Sequence, residues 1–265
     1  MIKRLFNRND NIAILIAGIF SIIIGLGVAR FAFTGLIPAM LDDYLTIKFV
    51  GILASLNFAG YLSGSIFSIF VKDINFKVYL YRFGIFLAIS TTFILAYSDN
   101  NTLWMIGRVL AGFAGAMCLI VGTSIVMQKL TIKSKTKAMG IHFSGIGFSI
   151  LTTDLLARFV LSLNYTWRDS WAVLAVFAII LSLYSVYILS FDKEVKQNAV
   201  KVKFDISIFT PFVIVLIIAY FTEGVGFVVQ ATFLLDLINN LKGLEGYGSL
   251  TWTLVGVAGI PSCII

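Results

Sequence analysis

The sequence predicts an all-α polytopic membrane protein, and three observations carry that prediction. Of the 265 residues, 59% are apolar and only 12% charged, against roughly 45–50% and about 25% in soluble domains. Apolar stretches long enough to cross a bilayer, about 20 residues each, recur along the chain with short connections. They lack the alternating pattern of a membrane barrel, in which one strand face meets lipid and the other a polar lumen. A disordered chain would need the opposite balance of charge and hydropathy. Cys118 and Cys263 both lie inside apolar runs and there is one histidine, which excludes a disulfide scaffold and a multi-cysteine metal site. No metal or cofactor is expected.

Taken in order, spans are expected near Asn11–Ile37, Phe49–Val71, Phe76–Tyr97, Leu103–Gln128, Ala138–Leu163, Trp171–Phe191, Pro211–Leu237 and Leu250–Ile265. The first follows a basic leader, Met1 to Arg8. It is too long for the 7–15-residue core of a signal peptide and no small-x-small cleavage site follows, so it reads as an uncleaved helix. Pro38 falls near its end, where a missing backbone donor costs least. Asp169–Ser170 offers caps for the sixth span. Thr210–Pro211 opens the seventh, as an N-cap with proline at the first helical position.

Basic residues set the topology. Lys3, Arg4 and Arg8; Lys72, Lys77 and Arg82; Lys129, Lys133, Lys135 and Lys137; and Lys193, Lys196, Lys201 and Lys203 fall on one side of this span map. Lys48, Arg168 and Lys242 fall on the other. The positive-inside rule makes the richer side, with the N-terminus, cytoplasmic, in the inner membrane of a bacterium. The net charge of +7 therefore reports orientation toward lipid, and nucleic acid is excluded as a partner. The charged stretch 192–208 reads as a cytoplasmic linker between a six-helix bundle (1–191) and an incomplete second bundle (209–265). Gly25-Leu-Gly27 with Ala32 matches Gly224-Val-Gly226 with Ala231 at equal spacing, a weak internal repeat of the kind duplicated transporters carry.

Five charges break the apolar runs: Arg30, Arg108, Asp154, Arg158 and Glu223. Counted at about 1.5 Å per residue, all lie between midplane and outer surface. A charge at that depth usually faces a cavity or a partner. Asp154 and Arg158 are four apart and share a helix face. Either they neutralise each other, or Asp154 serves as counter-ion to Arg108 or Arg30 across the bundle. Three arginines against two carboxylates leave positive charge to spare, which suits an anionic substrate. Glu223, with Gln230 seven residues on and near the same face, reads as a lone buried carboxylate able to carry a proton. His142 reads as a loop anchor, with a proton relay as the alternative. Gly60 with Gly64, Gly112 with Gly115, and Gly140 through Gly145 to Gly147 mark faces for close helix packing.

These residues also carry a resemblance. Gly25-Leu-Gly-Val-Ala-Arg30-Phe-Ala-Phe-Thr34, followed by Leu36-Ile-Pro38-Ala-Met40, resembles the first helix of the YbfB/YjiJ-type branch of the major facilitator superfamily. Phe58-Ala-Gly60-Tyr-Leu-Ser-Gly64 is similar to its second, and Gly107-Arg108-Val-Leu-Ala-Gly112-Phe-Ala-Gly115 to the superfamily's arginine-glycine motif in the fourth. His142-Phe-Ser-Gly145-Ile-Gly147 resembles the start of the fifth. Trp167-Arg168 with Trp171 is similar to the outer loop before the sixth, where aromatics mark the interface. Gly224-Val-Gly226 with Ala231-Thr232-Phe233-Leu234 resembles the seventh. Two positions depart from the pattern. Ser68 stands where the superfamily carries an acid after the second helix, and the fifth span lacks the glycine-proline motif of antiporters. The resemblance implies a major facilitator fold of twelve helices, of which about eight are present, so the chain reads as C-terminally truncated.

The resulting expectation is a secondary active transporter for a small, anionic solute working by alternating access, with protons a candidate coupling ion; it is not an enzyme. Arg30, Thr34, Arg108, Asp154 and Gln230 would bind substrate, Glu223 and Asp154 would couple protons, and Gly60, Gly64, Gly112, Gly115, Gly145 and Gly147 would pack helices. The alternative is a non-transporting membrane fragment or interaction subunit. An intramembrane enzyme is disfavoured, because no serine, histidine and acid share one face.

Overall fold

Short polar residues at the heads of the apolar runs set where the helices begin. Asp10 accepts a hydrogen bond from the Ile12 amide at 2.9 Å, Asp73 from Phe76 at 2.7 Å, Asn100 from Thr102 at 2.9 Å and Thr210 from Val213 at 3.3 Å. Each satisfies a donor that a helix's first turn leaves without a partner. A computed structural model describes residues 2–41, 43–131, 135–191 and 208–264. After a single turn at Ile2–Leu5, the order is α1 (Asn11–Leu41), α2 (Ile47–Phe70), α3 (Ile74–Tyr97), α4 (Asn101–Lys129), α5 (Lys135–Ser162), α6 (Trp167–Ile188), α7 (Pro211–Asn239) and α8 (Gly248–Ser262). The described residues contain no strand. Seven helices, α1 to α7, are long and apolar enough to cross a membrane, while α8 has 15 residues.

Two boundaries depart from the sequence expectation, and one segment cannot be compared with it. α6 starts at Trp167, because Thr166 and Asp169 cap each other's backbone reciprocally (Thr166 N to Asp169 Oδ2, 2.9 Å). Asp169 thus closes a capping box from inside the helix, and Ser170 lies within it. Pro38 sits inside α1, which runs on to Leu41. The linker at 192–207, with Lys193, Lys196, Lys201 and Lys203, lies outside the described residues, as does Lys133.

Two helices contain π-helical stretches. α1 widens into a π-helix over Ile23–Phe31 and α4 over Met117–Val121. The widened turns face each other. Ser21 Oγ donates to the Cys118 carbonyl at 2.9 Å, and a Cβ on Gly25 would lie 2.3 Å from that of Cys118. π-helical turns rarely persist without support, and here each lines the other.

Glycine sets the remaining close crossings. Between α2 and α4, a Cβ on Gly60 would stand 1.9 Å from the Val109 carbonyl oxygen, and one on Gly112 1.9 Å from that of Asn57. Gly64 faces Ala116 and Phe113, and Gly115 faces Gly25. Gly145 meets Ile19 and Ile22 of α1, while Gly147 meets the backbone of Gly256, Gly259 and Ile260, so α5 and α8 touch main chain to main chain. Without water to drive apolar faces together, such backbone approach is how membrane helices gain packing contacts.

Each end of the bundle is tied by side chains. At the N-terminal end, Arg8 bonds the Ser190 hydroxyl, Lys129 Nζ donates to the Ser190 carbonyl at 2.5 Å, and Tyr184 donates to Leu5 at 2.7 Å. At the other end Tyr44, Trp104 and Trp167 pack ring against ring, with centroids 5.2–5.9 Å apart. Trp167 donates to Asp43 at 2.8 Å, and Arg168 pairs with Asp99. Trp167 and Trp171 are buried, so they hold the core rather than lying on its surface.

Candidate functional site

The wide turns of α1 end at a cationic site. Arg30 leaves the last π-helical turn with its guanidinium 4.2 Å above the Phe58 ring, 5.5 Å from Phe31 and 5.7 Å from Tyr61. Arg108, one turn into the close α2–α4 contact, is 2% exposed. Its Nη1 donates to the Ala29 carbonyl at 3.1 Å and its Nε to Leu53 at 3.4 Å, with the guanidinium 4.3 Å above Phe33. No described carboxylate forms an ion pair with either arginine. Aromatic faces and backbone carbonyls therefore stand in for a counter-ion. A buried cation compensated this way retains attraction for an incoming anion, because the low dielectric around it weakens no charge by screening.

Arg30, Thr34, Phe31 and Phe33 of α1, Ala54, Asn57 and Phe58 of α2, Arg108 of α4 and Ala231 and Thr232 of α7 line one small cavity. It leaves about 20 Å³ to the centre of a water molecule, room for a single water. Asn57, 1% exposed, donates from Nδ2 to the Arg108 carbonyl at 3.1 Å, while its Oδ1 has no hydrogen-bond partner among the described residues. Three of the residues expected to bind substrate, Arg30, Thr34 and Arg108, thus meet in one place.

The other expected site residues stand elsewhere. Asp154 does not face Arg30 or Arg108. It accepts from Arg158 at 2.7 and 3.1 Å and from the Thr253 hydroxyl of α8 at 2.7 Å, and Arg158 in turn donates to Thr253 Oγ1 at 2.8 Å. The i,i+4 spacing puts the pair on one helix face, so the nearer cation takes the carboxylate. Gln230 lines a second cavity of about 120 Å³ with Phe227, Trp252 and Val255, and Ala231 belongs to both linings. Glu223 is exposed rather than buried, since no described helix covers that face of α7. His142 joins helices rather than anchoring a loop. Its Nε2 bonds Thr123 Oγ1 of α4 at 2.9 Å, and its ring fills the space beside Gly18 of α1.

A family model described as "Uncharacterised MFS-type transporter YbfB" matches residues 22–265. The chain belongs to this family. A more distant likeness joins it to a protein named "Protein TsgA homolog" from Buchnera aphidicola subsp. Baizongia pistaciae (strain Bp), 24% identical over 161 residues. That match covers 60% of this chain and 41% of the relative, so the chain spans about two fifths of the length of the curated relative it matches. The family assignment makes this a multi-pass membrane protein of the major facilitator type, in a family described as transporters. The resemblance read from the first, second, fourth, fifth and seventh spans falls within the matched residues.

Within this YbfB-type chain, several site residues carry no charge to advertise them. Asn57 is an amide in the middle of an apolar span, a signal that polarity alone makes visible. Phe58 and Tyr61 are aromatic residues among many, and nothing in their spacing marks them as the faces beneath Arg30. Thr253 meets Asp154 and Arg158, and Trp252 lines the cavity of Gln230, placements that only the three-dimensional contacts of α8 reveal.

Proposed function

We propose that this YbfB-type protein is a secondary active transporter that carries a small anionic solute across the bacterial cytoplasmic membrane by alternating access. One observation carries the proposal. Arg30 and Arg108 line a single cavity at the meeting of α1, α2, α4 and α7, and no described carboxylate pairs with either. Two guanidiniums held by rings and carbonyls attract an anion whose own charge completes the site, and Thr34 adds a hydroxyl. Rocking of α7 and α8 against α1–α6 would open and close the cavity around the bound solute, as in transporters with midplane sites. The excess of basic residues at the N-terminal end supports a cytoplasmic N-terminus.

Glu223 is the proposed proton carrier. Asp154 is committed to Arg158 and Thr253, whereas no described residue forms an ion pair with Glu223. It lies on α7, about two turns before Ala231 and Thr232, which line the cavity. Uptake of labelled carboxylates into proteoliposomes, with and without an imposed pH gradient, tests both parts. Arg108→Gln is expected to abolish uptake, and Glu223→Gln to leave exchange but remove the response to the gradient. Uptake indifferent to Arg108→Gln would refute the anion site. A full pH response in Glu223→Gln would refute the coupling role.

A further inference from the structure

The proposed anion site contains one group that an anion does not explain. Asn57 Oδ1 is a buried acceptor without a donor among the described residues, and buried polar groups in folded proteins are rarely left so. Its identity is fixed by its neighbour. Nδ2 donates to the Arg108 carbonyl at 3.1 Å, and a reversed amide would set two oxygens against each other. The cavity therefore presents two donor-only cations, the Thr34 hydroxyl and an acceptor seeking a proton.

A ligand that satisfies all of these carries an anionic acceptor group and, close to it, a donor. The donor is neutral, because the two guanidiniums that hold the anion repel an ammonium. We propose that the cavity takes a hydroxycarboxylate, with its carboxylate between Arg30 and Arg108 and its hydroxyl donating to Asn57 Oδ1. This rests on the anion site proposed above. Entry runs past Phe58, which lines both this cavity and a larger apolar space of about 560 Å³ between α2 and α7. A turn of the Phe58 ring away from Arg30 would open the small cavity toward that space and give room for a solute of several carbons.

Matched ligands test the hydroxyl directly on the unaltered protein. Purified protein in lipid nanodiscs is titrated with propanoate against 2-hydroxypropanoate, and butanedioate against 2-hydroxybutanedioate. The hydroxylated member of at least one pair is expected to bind on the order of tenfold more tightly, the effect of one buried hydrogen bond made or left unmade. In Asn57→Leu, with folding checked by its melting curve, that ratio is expected to fall to about one while the plain carboxylate still binds. Equal affinity within both pairs overturns the hydroxyl subsite and leaves the anion site standing, with Asn57 Oδ1 serving a structural water. Tighter binding of 2-aminopropanoate than of 2-hydroxypropanoate overturns the neutral-donor assignment. Binding by none of these carboxylates overturns the anion site and the hydroxyl subsite together.

Discussion

Two clusters of intramembrane charge lie on different helices and solve the same problem in opposite ways. At the α5–α8 contact, Asp154, 2% exposed on its side chain, meets Arg158 and Thr253, so the ions neutralise each other and a hydroxyl takes up further bonding capacity. At the α1–α2–α4 meeting, Arg30 and Arg108 have rings and backbone carbonyls instead of a carboxylate. The first arrangement is complete within the chain and fastens one helix to another. The second is incomplete in charge among the described residues, which is the ground for proposing that it takes an anion. A pair of buried charges is worth most to a fold when matched, and most to a ligand when unmatched.

Breaking the match should have the largest effect. Arg158→Ala leaves Asp154 buried without its cation, and a cost of about 3 kcal/mol is expected, read as a lowered melting temperature in nanodiscs. Adding Asp154→Asn to the same protein should restore most of it. Gly112→Ala disturbs the unmatched site without touching its charges. Its methyl would overlap the Asn57 carbonyl oxygen, 1.9 Å away, and must push α2 from α4 at a cost of about 2 kcal/mol. Its melting temperature should fall by less than that of Arg158→Ala, and carboxylate binding should weaken with it. Arg108→Met should separate the two currents of the comparison, leaving thermal stability within about 1 kcal/mol of the parent while carboxylate affinity falls at least tenfold, because no partner charge is orphaned. A destabilisation as large as that of Arg158→Ala would show that Arg108 is matched after all.

The smallest effect belongs to a third pair, on the protein's exterior. The Ile12 amide, followed by the Arg4 side chain, holds the Asp10 carboxyl below its ordinary value of 3.8. Such a group stabilises the folded state above that ordinary value, and the contribution is lost as pH falls through the lower folded one. Amide-exchange protection at Ile12 is therefore expected to be flat from pH 7 to 5 and to decline only below about 3.8. A decline beginning near neutrality would contradict the pairing.

Much of the fold was legible because bilayer thickness and capping chemistry act locally. Thr210–Pro211 opens α7 as its residue types dictate, and Asn11 begins α1. The start of α6 was misplaced because Asp169 works from inside the helix, where it resembles an outside cap in one dimension. The candidate site was legible wherever charge interrupts hydropathy, as at Arg30 and Arg108. It was not legible where a partner had to be chosen, since sequence offers Asp154 three arginines and only distance selects Arg158. Burial misled at Glu223 for a related reason: an apolar helix does not state which of its faces a neighbour will cover. The repeat shows this well. Gly25 and Gly27 are packed against α4 and α5, while a Cβ on Gly224 or Gly226 would meet no described neighbour within 4 Å.

The π-helical stretch at Ile23–Phe31 gives α1 two angular phases. Residues before it and residues after it follow the ordinary 3.6-residue rhythm, yet the wider winding between them shifts one rhythm against the other. A side chain's facing on one half therefore cannot be projected onto the other by counting. Arg30 and Thr34 are aimed by how many residues the wide turns absorb. Removing one residue from that stretch would swing both by about 100° and take Arg30 and Thr34 out of the cavity, leaving Arg108 as its cation, without altering a single polar group. In the proposed anion site, length at that point in the helix would act as a specificity-determining trait.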